Sequence, residues 1–317
     1  NVSSYRAQRR GGKGVIGMGT RKESVVQGEA EDFIEHLFTA STHDYLMFFT
    51  NTGRVYVRRV HEIPDMGRSA KGRNIANLLE LQSGEKIAAL IRVESHLGSD
   101  KENLTWQQEQ FLFFATESGT VKKTALNAYA NVRRTGINAI GINEGDRLIT
   151  VKLTTGHDEV VLITSDGKSI RFNEENVRSM GRTAAGVRGI RLGKKDRLVA
   201  AAIVVKDATL LVAGENGIGK RTEFDEYRTQ ARGGKGIITM KTTAKTGEVC
   251  GALAVKSNDE IMLITVGGQM VRTGVEHIRM TGRNAQGVKL INLHGKDQLQ
   301  AIAPVISEDA GDEDTGS

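Results

Sequence analysis

Short apolar runs recur along the chain and predict buried β-strands. Each run is rich in Val, Ile, Leu and Phe, is too short for a helix, and lacks the polar alternation of a half-exposed strand. A turn ending in Gly follows each run, and a second strand starts directly after it. The predicted hairpins begin at Tyr45, Phe111, Glu159, Ala208 and Glu260 and turn at Gly53, Gly119, Gly167, Gly217 and Gly268.

A second glycine marks each unit further along the chain. These marker glycines are Gly14, Gly72, Gly136, Gly186, Gly236 and Gly287. Their spacings are 58, 64, 50, 50 and 51 residues. A short apolar strand, an acidic turn residue and a longer apolar strand follow, as in Val187 to Leu192, Asp196 and Leu198 to Val205. About four strands per unit at such a period are typical of propeller blades.

Counting the marker glycines predicts an all-β, six-bladed, propeller-like domain over residues 1–306. No apolar hairpin precedes Gly14, so we expect the first blade to lack its leading hairpin, which residues upstream would supply, or the ring to close imperfectly. The longest interval contains an insertion at 94–110 that we expect to form a loop or short helix. Residues 307–317 are predicted to be an acidic disordered tail.

Composition excludes several classes of protein. The chain of 317 residues has 37 Gly, 2 Pro and one cysteine, Cys250, which leaves no disulfide framework and no cysteine-based zinc site. The longest apolar stretch, Leu198 to Val205, is far below the roughly 18 residues of a membrane span. We therefore expect a soluble intracellular protein without a membrane partner.

The net charge points to a polyanionic partner. The whole chain carries +6, but five acidic residues lie after position 307. Residues 1–307 therefore hold 44 Lys and Arg against 33 Asp and Glu, a net of +11. Such an excess favours nucleic acid over a membrane, because no basic amphipathic helix is visible. A mildly basic enzyme with a solubilising tail is the alternative on charge alone.

Basic residues occupy equivalent places in the repeat and form two rows. The marker row lies four residues before each marker glycine, or two and three before Gly136: Arg10, Arg68, Arg133, Arg134, Arg182, Arg232 and Arg283. The hairpin row lies four or five residues after the hairpin glycine: Arg58, Lys123, Arg171, Arg221 and Arg272. Equivalent places in a ring of blades form a continuous band. The alternative is that each Arg caps a turn or pairs with the acidic residue of the repeat.

Such a band suits the phosphate backbone of duplex DNA, which is bound through charge and not through sequence. Single-strand binding would need exposed aromatic platforms, whereas Phe48, Phe49, Phe111, Phe113 and Phe114 lie in apolar strand runs. Bending a duplex around a curved edge costs roughly 1 to 6 kcal/mol, so many phosphate contacts are needed.

The densest basic motif is Gln8-Arg9-Arg10-Gly11-Gly12-Lys13-Gly14, whose glycines leave backbone N–H groups open to phosphate. It matches the gyrase A box. Together with the repeats, the box makes the chain similar to the C-terminal DNA-wrapping domain of the bacterial DNA gyrase A subunit. Four further segments carry the resemblance: Thr-His-Asp at 42–44, Gly-Thr-Val-Lys-Lys-Thr at 119–124, Gly-Val-Arg-Gly-Ile-Arg-Leu-Gly at 186–193 and Gly-Lys-Arg-Thr at 219–222. The resemblance covers residues 5–305.

The resemblance implies a six-bladed β-pinwheel that wraps duplex DNA around its basic perimeter, with the box fastening the end of the wrap. Wrapping in this family gives a positive DNA crossing, from which the holoenzyme, a type II topoisomerase, introduces negative supercoils. The domain is then no enzyme by itself and needs no cofactor, since ATP and magnesium act elsewhere in an A2B2 assembly with the gyrase B protein. It also implies a bacterial cytoplasmic protein and a monomeric isolated domain.

Besides the absent hairpin of the first blade, the chain departs from the family pattern in two ways. Gln230-Ala231-Arg232-Gly233-Gly234-Lys235-Gly236 repeats the box with Ala in place of one Arg, which predicts a second anchoring site that includes Lys235. The acidic tail is short, so its role is open. The equivalent domain of topoisomerase IV is an alternative, although it normally lacks an intact box. A propeller used as an interaction scaffold is another, but its Trp-Asp repeats are absent from the sequence.

Catalytic motifs fail on spacing or context. Gly214-x4-Gly219-Lys220 resembles a phosphate-binding loop, but Arg221 stands where Ser or Thr must bind magnesium, and the segment lies in a predicted hairpin. The seven His show no metal-ligand spacing, so no metal site is expected.

Overall fold

The computed structural model describes residues 7–8, 15–16, 40–63, 74–94 and 109–305, which consist of β-strands, 3-10 turns and loops. Two short strands come first, β1 (Ala7–Gln8) and β2 (Val15–Ile16). Each predicted apolar run then forms an antiparallel hairpin, which confirms the interpretation of these runs as strands. The hairpins are β3 (Tyr45–Thr50) with β4 (Arg54–Arg59), β6 (Phe111–Thr116) with β7 (Thr120–Ala125), β10 (Glu159–Thr164) with β11 (Lys168–Asn173), β14 (Thr209–Gly214) with β15 (Ile218–Glu223), and β18 (Glu260–Thr265) with β19 (Gln269–Gly274).

Each hairpin gains one strand on either side, and the resulting sheets are blades 1 to 5 in chain order. The inner strand comes from the same unit: β5 (Ile87–Val93), β9 (Leu148–Thr154), β13 (Leu198–Ile203), β17 (Val249–Val255) or β21 (Leu299–Val305). The outer strand is supplied by the next unit: β8 (Ile137–Asn138), β12 (Val187–Arg188), β16 (Ile237–Ile238) or β20 (Val288–Lys289) in blades 1 to 4.

The prediction of six blades is wrong, because the described strands form five sheets. The short strand after a marker glycine joins the hairpin of the preceding unit, so marker glycines do not count blades. The strand that follows Gly14, β2, accordingly pairs with β19 of blade 5, and β1 lies parallel to β19 in the same sheet. A blade requires a hairpin, and the sequence pattern contains five of them.

The five inner strands surround a common axis. Residues of β5, β9, β13, β17 and β21 line one cavity of about 240 Å³, among them Lys152 and Cys250. Apolar clusters fill the space between neighbouring blades, as where Phe49 of blade 1 meets Phe114 of blade 2 edge to face at 5.5 Å between ring centroids. Burial of the hairpin strands on both faces explains their lack of polar alternation.

Glycine is required at both repeating positions of the unit. Gly167, in the hairpin turn of blade 3, has φ of +76°, and a Cβ there would lie 2.1 Å from the Met240 carbonyl oxygen. The marker glycine Gly186 has φ of +104°, and its Cβ would lie 2.4 Å from the Val121 carbonyl oxygen. The first glycine makes a tight turn, and the second lets the next unit pass against the outer hairpin strand.

The acidic residue of the repeat caps the hairpin turn. Asp146 accepts hydrogen bonds from the backbone N–H of Ser118 at 2.9 Å and of Arg147 at 2.8 Å. Asp196 and Asp297 bind the equivalent turns of blades 3 and 5. Burial acts to raise the pKa of Asp146, but hydrogen bonds from Ser118, Thr116 and the backbone outweigh it and hold that pKa below its ordinary value.

A 3-10 turn follows the second strand of every hairpin and begins the path to the next outer strand. These turns are Val60–Glu62, Leu126–Tyr129, Glu174–Asn176, Phe224–Glu226 and Val275–His277, with a further one at Ile75–Asn77. Several residues singled out in the sequence lie outside the described ranges: Arg9 to Gly14 of the box, Arg68, most of the 94–110 insertion and the predicted tail at 307–317.

Candidate nucleic-acid interface

The loops that carry Arg182, Arg232 and Arg283 of the marker row lie along the outer edge of the blades. In each, the chain crosses the outer hairpin strand before it adds the short strand. The crossing is fixed by backbone hydrogen bonds from Met180 to Lys123 at 2.8 Å, from Gln230 to Arg171 at 2.8 Å and from Thr281 to Arg221 at 2.9 Å. We call residues 178–188, 228–238 and 279–289 the rim loops.

Marker-row arginines connect successive loops along this edge. Arg182 Nη1 donates to the Asn138 carbonyl oxygen at 3.4 Å, Arg232 Nη1 to that of Arg188 at 3.1 Å, and Arg283 Nη1 to that of Ile238 at 2.8 Å. Each acceptor lies two residues after the preceding marker glycine. The arginines therefore occupy the same place in three consecutive loops, with their side chains partly exposed.

The marker-row side chains keep their charge available. Among the described residues, Arg133, Arg182, Arg232 and Arg283 form no ion pair with a carboxylate. Arg134 lies 3.7 Å from Glu80, but its side chain is 82% exposed and the pair is correspondingly weak. A second anion can therefore compete for these guanidinium groups.

The structure adds exposed cations that the sequence analysis did not select. One set lies four residues before the marker-row arginine, and the other lies on the outer strands. They are Arg178, Arg228 and Arg279, and Arg188 and Lys289. The signal for the first set was present in the sequence, because the interval of four residues is constant across three units.

The hairpin row occupies a different environment. Arg58, Lys123 and Arg221 are 8%, 6% and 9% exposed, and Arg171 and Arg272 are partly buried. Their side chains contact the next unit or a carboxylate of the same blade. Arg221 Nε donates to the Ile278 carbonyl oxygen at 2.7 Å, and Lys123 Nζ donates to that of Glu174 at 3.1 Å.

Two further contacts of this row link neighbouring units. Arg58 Nη2 donates to the Arg134 carbonyl oxygen at 3.1 Å, and Arg171 Nη1 to that of Phe224 at 2.8 Å. Arg171 also forms an ion pair with Glu159, and this hydrogen-bonded guanidinium holds the pKa of the Glu159 carboxyl below its ordinary value. Arg272 forms the equivalent ion pair with Glu260 of its own blade. Four of these cations join units and Arg272 pairs within its own blade, so none of the five is assigned to the DNA interface.

The box-like segment 230–236 forms the rim loop opposite β11. Lys235 is exposed, Gly233 has φ of +82°, and Gly234 lies against the buried Ile170. Arg232 Nε donates to the Asn176 carbonyl oxygen at 2.9 Å, which holds the guanidinium at the edge. In the first box, Gln8 lies in β1, beside β19.

The rest of the described surface shows no alternative chemistry. Residues 40–63, 74–94 and 109–305 contain no group of three His, Cys, Asp or Glu side chains placed to bind a metal ion. In those same ranges no helix is long and apolar enough to cross a membrane. No Phe or Tyr side chain of these ranges is exposed.

Blades that share strands around an axis, with an edge of exposed arginines, define a β-propeller with a basic rim. The family profile of the DNA gyrase C-terminal domain, a β-propeller, matches residues 1–28, 44–94, 110–155, 158–204, 208–256 and 259–306. The chain belongs to this family, and the resemblance found in the sequence is confirmed.

Curated relatives agree with this assignment. The chain is 42% identical over 319 residues to the DNA gyrase A protein of Salmonella typhimurium and 41% identical over 307 residues to that of Mycolicibacterium smegmatis, aligning over 100% and 96% of its own length. It spans 34% of the length of each relative, so it corresponds to the C-terminal part of gyrase A.

Two solved structures share the fold. The structure of a DNA gyrase A C-terminal domain superposes with a TM-score of 0.80 at 26% identity, covering 96% of this chain and 94% of that one. The C-terminal domain of a DNA topoisomerase IV superposes with a TM-score of 0.72 at 27% identity, covering 83% and 80%.

Proposed function

We propose that this domain binds duplex DNA without sequence specificity and wraps it around the rim loops. The observation that carries the proposal is the recurrence of partly exposed arginines without carboxylate partners at the same place in consecutive loops, at Arg182, Arg232 and Arg283. A row of guanidinium groups at the period of the blades matches a polyanion that follows the curved edge.

Duplex DNA fits this surface better than a single strand. Single-strand binders stack bases on exposed Phe, Tyr or Trp rings, and the described residues include no exposed Phe or Tyr. The charged side chains of the rim loops are instead all Arg or Lys, which suit contacts to phosphates. Such contacts carry little sequence information, so binding is expected to depend on charge and on the ease of bending the duplex.

The gyrase relatives extend the proposal to an assembly. The domain acts within a gyrase A protein that joins gyrase B in an A2B2 enzyme, where its DNA wrap gives the positive crossing needed for negative supercoiling. ATP and magnesium are used elsewhere in that enzyme, and the domain contributes DNA binding only. It acts as one unit over residues 1–306, followed by the acidic tail.

The direct test is to ligate nicked circular DNA with the chain bound and then to measure linking number after the protein is removed. Wrapping predicts topoisomers shifted in proportion to bound protein, with a positive sign. An unchanged distribution at saturating protein would refute wrapping. A topoisomerase IV-like domain, which selects DNA geometry, would bind DNA in the same assay with little shift.

Two box segments are proposed as anchors of the wrap. Replacing Arg9, Arg10 and Lys13 by Ala is expected to leave the blades folded and to abolish supercoiling by the assembled enzyme. For the second segment, the informative variant is Arg232→Gln with Lys235→Gln. It should reduce the linking-number shift while melting remains close to that of the parent chain; an unchanged shift removes this segment from the wrap.

A further inference from the structure

Two lysines lie fully buried beneath rim loops. Lys122 on β7 and Lys220 on β15 occupy the third position after the hairpin glycine, and both are 0% exposed. The same position holds Ile170 in blade 3 and Val271 in blade 5, so the fold accepts an apolar side chain there. An ammonium group at this position therefore calls for a separate explanation.

Both ammonium groups donate to backbone carbonyls of the loops that carry marker-row arginines. Lys122 Nζ donates to the Arg182 carbonyl oxygen at 2.5 Å and to that of Ala139 at 2.7 Å. Lys220 Nζ donates to the Gly282 carbonyl oxygen at 2.6 Å and to that of Arg283. Each lysine thus lies directly behind an arginine of the proposed DNA interface.

The groups that face Lys122 give its charge little compensation. They are the Arg182 guanidinium, the Phe114 ring at 5.1 Å from Nζ, and the Tyr129 hydroxyl, which donates to the same Ala139 oxygen at 2.9 Å. Burial first, and the Arg182 charge second, lower the pKa of Lys122 to about 7.

Lys220 has a similar environment with one added carboxylate. Burial lowers its pKa to about 8, with Arg283 acting in the same direction and Glu226 acting to raise it. The buried Tyr227 also faces these charges. The position of Glu226 in the Lys220 unit is occupied by Ala128 in the Lys122 unit. The absence of this carboxylate agrees with the lower pKa of Lys122.

We propose that Lys122 and Lys220 are positioning residues of the DNA interface. They hold the rim loops in place, and each lysine takes up a proton when a DNA phosphate binds to the rim loop above it. A neutral lysine amine still carries two N–H donors, so both loop carbonyls stay bonded when the proton leaves. A phosphate held by Arg182 or Arg283 adds the negative charge that the site lacks and favours the ammonium form.

The sign of the pH dependence follows from this coupling. If bound DNA raises each lysine pKa, the complex holds more protons than the free chain, and affinity falls as pH rises through the free values of about 7 and 8. A rise of one pKa unit on binding changes affinity by about tenfold per lysine across this window. Midway between the free and bound values, DNA binding would take up about half a proton per lysine.

The inference rests on the proposed function, and the experiment separates the two. Residues 1–317 are titrated with a linear duplex of about 30 bp by calorimetry, in buffers of different ionisation enthalpy, at about pH 7.5 and at about pH 6. We expect proton uptake near pH 7.5 that vanishes at the lower pH. Absence of binding at both pH values would contradict the proposed function; binding with no proton uptake would overturn this inference alone.

Variants assign the protons to the two lysines. Lys122→Gln with Lys220→Gln keeps an N–H donor at each site and removes the charge, and should abolish the uptake while melting shows a folded chain. The control, Lys235→Gln, removes an exposed charge and should lower affinity by the same factor at both pH values. Retained uptake in the folded double variant overturns the assignment, and the measurement on the parent chain decides the case if that variant fails to fold.

Discussion

Replacing Arg221 should destabilise the fold and leave the salt dependence of DNA binding unchanged. Arg221 is 9% exposed; its Nε donates to the Ile278 carbonyl oxygen at 2.7 Å and its Nη1 to the Ser257 hydroxyl at 3.0 Å. Arg221→Gln shortens the side chain and removes the guanidinium group, so the buried Ile278 oxygen loses the Nε donor. Blades 4 and 5 then lose a contact that joins them.

The magnitude follows from the hydrogen bonds that are lost. A hydrogen bond to a charged group contributes about 1.5 to 3 kcal/mol, so losing two with partial replacement by the glutamine amide costs about 3 kcal/mol. For a domain of this size, that corresponds to a melting temperature lower by about 6 °C. Exposed substitutions away from such contacts stay within about 0.5 kcal/mol.

The matched variant changes the exposed arginines instead. Arg178, Arg228 and Arg279, all replaced by Gln, should melt close to the parent chain but bind DNA with a weaker salt dependence. Each phosphate contact contributes a slope of about −0.9 in log K against log salt concentration, so removing three contacts reduces the slope by about 3. Arg221→Gln should keep the slope of the parent chain.

Differential scanning calorimetry and duplex binding over a salt series measure both quantities on the same samples. The assignment of the two rows would be refuted if Arg221→Gln flattened the salt dependence at an unchanged melting temperature. It would also fail if the triple rim variant lost stability and kept its slope.

Further predictions concern the turns, the axis and the acid limb of stability. Gly167→Ala should lower the free energy of unfolding, measured in urea, by about 2 kcal/mol or more, because strain at positive φ adds to a clash with the Met240 carbonyl. The control, Gly84→Ala, has φ of +79° and nothing within 4 Å of the added Cβ, so it should show the strain alone. Lys152→Met should raise the urea midpoint at neutral pH, because burial lowers the Lys152 pKa and the protonated lysine is therefore unfavourable in the folded chain. This gain in stability should disappear above the ordinary lysine pKa of about 10.4, where the lysine of the parent chain is neutral in both states. Asp146→Asn should lower the melting temperature at neutral pH, because a depressed carboxyl pKa stabilises the fold above the unfolded pKa. The difference from the parent chain should shrink progressively as pH falls below the ordinary Asp pKa of about 3.9 and through the lower folded value.

The hairpins and their turns could be predicted from sequence because both depend on local physics. A doubly buried strand must be apolar, and a turn at positive φ selects glycine, as at Gly53 and Gly119. The number of blades depended on pairing between units. The two-residue strand at Val187–Arg188 gives no local indication that it belongs to the sheet of the preceding hairpin. Counting marker glycines therefore predicts six blades where the described residues form five.

The two cation rows show a similar limit at the candidate site. Arg182 and Arg221 both occupy fixed positions of the repeat, so the repeat alone predicts DNA contact equally for both. The difference arises from the next unit, whose 3-10 turn and loop cover Arg221 and leave Arg182 at the edge. Burial by a later segment cannot be deduced from the spacing of residues. The alternative considered for these cations, that each caps a turn or pairs with an acidic residue, describes the contacts of the hairpin row.

The contacts between rim loops also determine which partner bends on binding. Arg182, Arg232 and Arg283 are each hydrogen-bonded to a carbonyl of the preceding loop, so the fold sets the spacing of these charges along the edge before DNA arrives. A preorganised surface spends little free energy on ordering its own side chains. The bending cost of roughly 1 to 6 kcal/mol per 20 to 30 bp then falls on the DNA, and the phosphate contacts must offset it. Because those contacts weaken with salt while the bending cost depends mainly on DNA stiffness, the wrap should unwind from its ends at salt concentrations where the central loops still bind.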